Sequence, residues 1–274
     1  MRKLVIPIKI IASILFLTFF LSCSGEDGPS DDGGGGDNAV RTAADVRDDF
    51  EKLTIKTGIN DLVLESLIKG VYWKFRIIMP EGASASNKRP LVLRLHGGAQ
   101  NDAPDAHKTT NCLVEPGFEG LNAIIVSPNS NQDLWYEEIN IVQVLALMDL
   151  IKANLPVDLS KTVVTGYSDG GNGSWFFAQY YSNLFSAAIP LATSYDTKNS
   201  SGTIDKISIP LYVIHGSEDT LFQLATTQGY VDASINAGSD VKFVVADGLA
   251  HLDVCDYVPY LKNAVIWLET EVWN

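Results

Sequence analysis

From residue 70 to the end of the chain, short β-branched and aromatic runs alternate with longer helical stretches, and this alternation restricts the fold more than any other feature. The runs read as strands over residues 70–79, 91–96, 122–128, 162–166, 187–192, 210–215 and 241–246. Between them, residues 136–155 carry apolar positions at Ile139, Val142, Leu145, Ala146, Met148 and Leu150, the broad apolar face of a buried helix. Further helices are expected over 43–54, 174–181, 223–237 and 260–272. Strands separated by helices imply an α/β fold, a mostly parallel central sheet with helices on both faces. In such sheets the functional groups collect at the carboxyl ends of the strands.

The polar residues with chemical potential sit at those ends. TVVTG (162–166) runs into Gly166-Tyr167-Ser168-Asp169-Gly170-Gly171 ahead of a helix. A serine at the tip of a tight strand-to-helix turn needs small residues two places either side, so the motif makes Ser168 a candidate nucleophile. Alone the motif is weak; its place between strand and helix gives it weight. A base is needed, and His251, in Gly248-Leu249-Ala250-His251 after the last strand, is the histidine downstream of every other candidate. His96 and His215 close strands and are expected to bond backbone, and His107 is expected in solvent. The acid that orients the base is expected just after strand 210–215, where HGSED offers Asp219, with Glu218 as competitor. The chain order is then Ser, Asp, His. Two backbone N–H donors would complete an oxyanion hole, those of Asp169 and of Gly98 in LHGGAQ (95–100).

LHGGAQ, VVTGYSDGG, PLYVIHGSED and GLAH together resemble the polyhydroxybutyrate depolymerase, feruloyl and acetyl-xylan esterase and phospholipase/carboxylesterase group of the α/β-hydrolases, over roughly residues 70–271. The resemblance implies an α/β-hydrolase fold and a serine carboxylic-ester hydrolase working through an acyl-enzyme. It maps that group's nucleophile, acid and base onto Ser168, Asp219 and His251, and its first oxyanion donor onto Gly98. One departure is Thr220-Leu221-Phe222 after HGSED, where relatives carry a short polar stretch, which leaves the loop beyond Asp219 undefined.

Only about 20 residues, polar in character, separate the strands at 187–192 and 210–215, too few for a large cap domain. An open cleft suits an ester substrate that is small or carried on a polymer. Trp135, Tyr136 and Tyr195 are candidate substrate-binding walls, each with core packing as its alternative, and Trp175 is assigned to the core. No metal set, dinucleotide glycine pattern or P-loop is present, so no cofactor and no metal is expected. A prolyl-oligopeptidase-like serine peptidase and a non-catalytic binding protein on the same fold remain alternative readings.

At the N-terminus, Arg2 and Lys3 precede an apolar run from Leu4 to Leu21 that ends at Ser22-Cys23-Ser24. This is the layout of a secretory signal, and the terminal Cys resembles a bacterial lipobox, which implies lipidation at Cys23. Residues 1–23 are therefore assigned to a lipoprotein signal peptide, 24–40 to a flexible acidic Gly/Ser/Asp linker and 41–274 to the catalytic domain. The expected location is the bacterial cell envelope, anchored by lipid to the outer membrane. The chain carries 20 Lys and Arg against 33 Asp and Glu, a net charge of −13. Residues 1–23 hold three of those cations and no acid, so the remainder is more acidic still, and a nucleic-acid partner is excluded. With Cys23 lipidated, Cys112 and Cys255 remain either as a disulfide or as two buried thiols. The oligomeric state is left open.

Overall fold

The computed structural model describes residues 40–274; Cys23, the expected signal and nearly all of the expected linker lie outside the described residues. Helix α1 (Ala43–Glu51) opens the described chain and is followed by strands β1 (Gly58–Glu65), β2 (Tyr72–Met79) and β3 (Arg89–Leu95). Helix α2 (Val114–Phe118) leads to β4 (Ile124–Pro128), α3 (Glu138–Asn154), β5 (Val157–Tyr167), α4 (Asp169–Tyr180) and β6 (Ala187–Leu191). The chain closes with β7 (Leu211–Gly216), α5 (Leu224–Asn236), β8 (Val241–Ala246) and α6 (Val258–Trp267). The strands form one sheet in the order β1-β2-β4-β3-β5-β6-β7-β8. β1–β2 and β2–β4 pair antiparallel, and every pairing from β4 through to β8 is parallel. This is the α/β-hydrolase architecture.

The central strands are apolar on both sides because both sides are covered. On β3, Leu91, Leu93 and Leu95 point into one core with Phe50 of α1, Leu147 and Ile151 of α3, Phe177 of α4 and Val231 of α5. Val92, one register step away, faces the opposite core with Val114 and Phe118 of α2 and Leu261 and Ala264 of α6. Truncating any of the fully buried leucines to alanine removes about 2–5 kcal/mol of stability by this geometry. Between β6 and β7 the described chain holds no helix, only a loop closed by the Lys198–Ile204 bridge, so the strand ends carry no cap domain.

Three differences from the sequence expectations have physical causes. β1 does not announce itself because it is an edge strand that exposes Ile59 and Val63 outward, which erases the apolar/polar alternation. α1 stops at Glu51, short of 54, with Val46 and Phe50 as its buried pair and Thr42 and Asp45 exchanging both bonds of a capping box. α4 begins at Asp169, five residues ahead of the expectation, through glycines that helix propensity disfavours.

His107 is also a correction: it is buried, not in solvent, with its Nδ1 3.0 Å from Asn129 Oδ1 and its backbone N–H donating to the same oxygen at 3.1 Å. His96 and His215 are buried and bond backbone as expected. Burial pushes His96 down to about 4, against a partly opposing bond to the Gly97 carbonyl; burial also lowers His107 and His215. In an unfolded chain these rings titrate near 6.5, so between about 6.5 and 4 the unfolded state binds protons that the folded state refuses. Stability therefore falls as pH drops through that window, by about 3 kcal/mol from His96 alone. Denaturant titrations at stepped pH check this; a midpoint unchanged from pH 7 down to about 4.5 contradicts it.

Candidate active site

Ser168 sits between the end of β5 and the first residue of α4, with φ 58° and ψ −122°. A non-glycine residue in that region is strained and is held only by its surroundings. The surroundings explain the motif. A Cβ at Gly170 would fall 2.0 Å from the Leu95 carbonyl oxygen, and one at Gly166 would fall 2.2 Å from the Gly170 carbonyl oxygen. The turn closes only if both positions lack a side chain. The Ser168 N–H donates to the Leu191 carbonyl at 3.0 Å, which pins the elbow to the end of β6.

The loops after β7 and β8 bring the other two groups to this point. His251 Nε2 lies 2.9 Å from Ser168 Oγ, and its Nδ1 lies 2.7 Å from Asp219 Oδ2. A carboxylate only accepts, so Nδ1 carries the proton and Nε2 is free to accept from the serine hydroxyl. Asp219 is 4% exposed, and its other oxygen, Oδ1, accepts the N–H groups of Leu221 at 3.0 Å and Phe222 at 2.7 Å. Thr220-Leu221-Phe222, the departure noted in the sequence, is thus the turn that wraps the acid. The Phe222 carbonyl accepts from His215 Nε2 at 2.7 Å and its ring packs edge-on to His251, with centroids 4.9 Å apart. Glu218 takes no part in this contact; Asp219 does. The Tyr167 hydroxyl donates to the His251 carbonyl, bracing the base from the residue before the serine.

Gly97 and Gly98 approach from β3. A Cβ at Gly97 would lie 3.2 Å from Ser168 Cβ, and Gly98 has φ +62°, so the turn uses glycine at both places. Among the described residues no acceptor takes the N–H of Gly98 or of Asp169, which leaves both donors free beside the serine. The Asp169 carboxylate has a separate job: its Oδ2 accepts the Ala99 N–H at 3.1 Å and clips this loop to the elbow. Ser130 holds the loop's other side, donating from Oγ to the Ala99 carbonyl at 2.6 Å and from N–H to His96 Nε2 at 2.9 Å. Asn172 fixes the loop after β6, accepting from Thr193 Oγ1 at 2.7 Å and the Ser194 N–H at 2.8 Å. Sequence reasoning missed all three roles, and no local motif signals them.

The three aromatic candidates part company. Trp135 is fully buried, donates from Nε1 to the His96 carbonyl at 2.8 Å and fills the space over Gly173. It supports the glycine loop from beneath and offers no face to a ligand, a correction to its candidacy. Tyr136 and Tyr195 are half-buried with ring centroids 6.2 Å apart, and Tyr136 lies 6.0 Å from the Phe176 ring. Burial raises the Tyr136 phenol, with the Asp169 carboxylate adding to the shift, and the contact with Phe176 sets this wall against α4, the helix that follows the elbow. Trp175 is core.

Cys112 and Cys255 form a disulfide with Cα atoms 5.0 Å apart, closing 143 residues. It staples the segment before α2 to the turn that follows His251. Reduction should cost about 2–5 kcal/mol of stability, read as a lower denaturation midpoint of the Cys255→Ser form; an unchanged midpoint contradicts that account. Among the described residues no cluster of His, Cys, Asp and Glu could hold a metal ion, and no helix is long and apolar enough to cross a membrane.

This geometry has relatives. A probable feruloyl esterase C of Aspergillus terreus (strain NIH 2624 / FGSC A1156) is 30% identical over 189 residues, 64% of this chain and 62% of that one. The chain therefore spans about three fifths of that relative's length. A thermostable esterase of known structure is similar with a TM-score of 0.63 at 19% identity, over 82% of this chain and 63% of that one. Esterase 2 of Thermogutta terrifontis gives a TM-score of 0.61 at 18% identity, over 77% and 94%. At such identities these two likenesses speak for the fold. The dienelactone hydrolase family matches residues 128–265, half of the chain and the half that carries Ser168, Asp219 and His251, and the chain belongs to that family.

Proposed function

We propose that this protein hydrolyses carboxylic esters through an acyl-enzyme on Ser168. The observation that carries the reading is the unbroken line from Asp219 Oδ2 through His251 to Ser168 Oγ, with contacts of 2.7 and 2.9 Å. Family membership and the likeness to a probable feruloyl esterase support it. In this mechanism His251 takes the hydroxyl proton as Ser168 attacks the ester carbonyl, and the N–H groups of Gly98 and Asp169 hold the oxyanion. The alcohol leaves with the proton from His251. Water, deprotonated by the same ring, then frees the acid.

The open strand ends and the short loop between β6 and β7 favour an acyl group borne on a polymer or a small ester over a substrate that must be enclosed. Tyr136 and Tyr195 are assigned as the wall for an aromatic or sugar ring. Replacing both by alanine should raise KM for methyl ferulate about three- to tenfold and leave p-nitrophenyl acetate nearly unchanged; equal effects on both substrates remove that assignment. A panel of p-nitrophenyl acetate, methyl ferulate and aminoacyl-anilides tests the reaction class. Ester turnover with no anilide turnover is the expected pattern, and anilide turnover alone makes the protein a peptidase.

The proposal extends to location. Residues 1–23 act as a lipoprotein signal, Cys23 carries the lipid, residues 24–40 tether the catalytic unit, and the protein sits on the cell envelope. The apolar run ending at Ser22-Cys23-Ser24 supports this. Radiolabelled palmitate incorporated by the parent and not by Cys23→Ala is the expected result; equal labelling, or none in either, removes the anchor.

A further inference from the structure

Arg94 is buried in the middle of the protein without an acid. It projects from β3 to the face opposite Leu93 and Leu95 and is 9% exposed. Its guanidinium donates to four neutral oxygens: from Nη1 to the Ala106 carbonyl at 3.0 Å and Ser127 Oγ at 3.1 Å, and from Nη2 to the Thr109 carbonyl at 2.8 Å and Thr109 Oγ1 at 3.0 Å. The fifth donor, Nε–H, has no acceptor among the described residues. No carboxylate of the described residues lies within ion-pair distance. The charge that reaches Arg94 is that of Arg76, which repels it and is itself paired with Asp61 at 2.8 Å. Burial pushes the Arg94 guanidinium down to about 10, with Arg76 adding to the effect, so it stays charged at neutral pH. An interior cation held only by neutral oxygens is costly, and the ordinary remedy is a counter-charge.

Beside Arg94 lies a cavity of about 310 Å³. Arg94, Thr109 and Thr165 supply its polar side chains, and Leu113, Val114, Val254 and Leu261 form an apolar wall, with the Cys112 half of the disulfide among the lining atoms. Gly97 and Tyr167 close the end nearest the catalytic serine. At roughly 30 Å³ per water-sized group, the space takes on the order of ten non-hydrogen atoms. One cation set in an apolar chamber selects a ligand with one negative charge and an apolar body. A strongly hydrated dianion finds too few donors there to replace its water.

We propose that this cavity is a binding site for a small organic monocarboxylate, the carboxylate on Arg94 and an apolar chain or ring against Val114, Val254 and Leu261. The site is separate from the Ser168–His251–Asp219 line and shares with it the wall at Gly97. Two sources supply such an acid: the acid released by ester cleavage, or free acid in the surroundings.

The test is calorimetric titration of the full chain carrying Ser168→Ala with sodium benzoate, with sodium chloride and benzyl alcohol as controls. Because this form has no nucleophile, the result does not depend on the esterase reading. Saturable one-site binding of benzoate, absent for both controls, is expected. Arg94→Met should weaken it about tenfold or more, and Val254→Trp, which keeps the charge and fills the chamber, should do the same. Benzoate that binds both variants as tightly as the parent, or does not bind the parent at all, overturns the proposal, and the tryptophan form decides if the methionine form does not fold. In the Ser168-bearing chain, progress curves that bend with accumulating product in the parent and straighten in Val254→Trp assign the site to the enzyme's own acid; bending that benzoate alone produces assigns it to free acid.

Discussion

Ser168→Ala should fold normally and turn over p-nitrophenyl acetate about 10⁵–10⁶-fold more slowly than the parent. The size of the effect follows from what is removed. The hydroxyl is the atom that becomes acylated, and it is the donor that His251 Nε2 accepts from at 2.9 Å. Without it the base has nothing to activate in the first step, and only the oxyanion donors and substrate binding remain, worth a residual of roughly 10³–10⁴ over water. Folding is spared because the positive φ at this position is imposed by Gly166, Gly170 and the bond to the Leu191 carbonyl, and alanine meets those constraints as serine does. Circular dichroism and a denaturation midpoint within about 1 kcal/mol of the parent separate lost chemistry from lost fold. Activity within tenfold of the parent removes Ser168 from the mechanism.

Asp219→Asn is expected to lower kcat by about 10⁴ while KM moves little. The magnitude is the one typical of the Asp→Asn change in a Ser-His-Asp triad, and the reason is visible in this site. Oδ1 of Asp219 is fixed by two backbone donors, the N–H groups of Leu221 and Phe222. An asparagine must therefore place its oxygen there and turn its NH₂ toward His251 Nδ1. A donor facing Nδ1 forces the proton onto Nε2, and Nε2–H cannot accept from Ser168 Oγ. The wrong tautomer, more than the lost charge, carries the effect. Asp219→Glu is predicted to recover little, since the longer side chain cannot keep both backbone bonds and reach Nδ1. A rate within about tenfold of the parent in Asp219→Asn would show that the carboxylate does not set the tautomer.

Much of the framework is legible in the sequence because its determinants are local. The parallel strands β3, β4, β6 and β7 and the second half of β5 are short, largely apolar runs buried on both faces, and β8 at the sheet edge keeps its apolar run over 241–246; each survives inspection of its own residues. The elbow is legible for the same reason: Gly166 and Gly170 are required within one turn of Ser168. The boundaries of α4 are not, since three glycines in its first turns argue against a helix, and only the approach of Leu95, Leu191 and Trp135 from other elements explains them. β1 is hidden by its position at the sheet edge. Trp135 looks like a ligand wall because an aromatic beside a strand end reads the same whether it faces a cleft or supports a loop. Ser130, Asn172 and Arg94 are invisible for a further reason. Their partners lie between 12 and 34 residues away, and half of them are backbone oxygens and amides, which no side-chain pattern encodes.

The most direct test of the central claim is peptide mass spectrometry of the full chain after reaction with diisopropyl fluorophosphate. A single adduct on Ser168, absent in Ser168→Ala and strongly slowed in Asp219→Asn, is the predicted result. An ester-cleaving protein that stays unmodified at Ser168, or carries its adduct on another residue, contradicts the account.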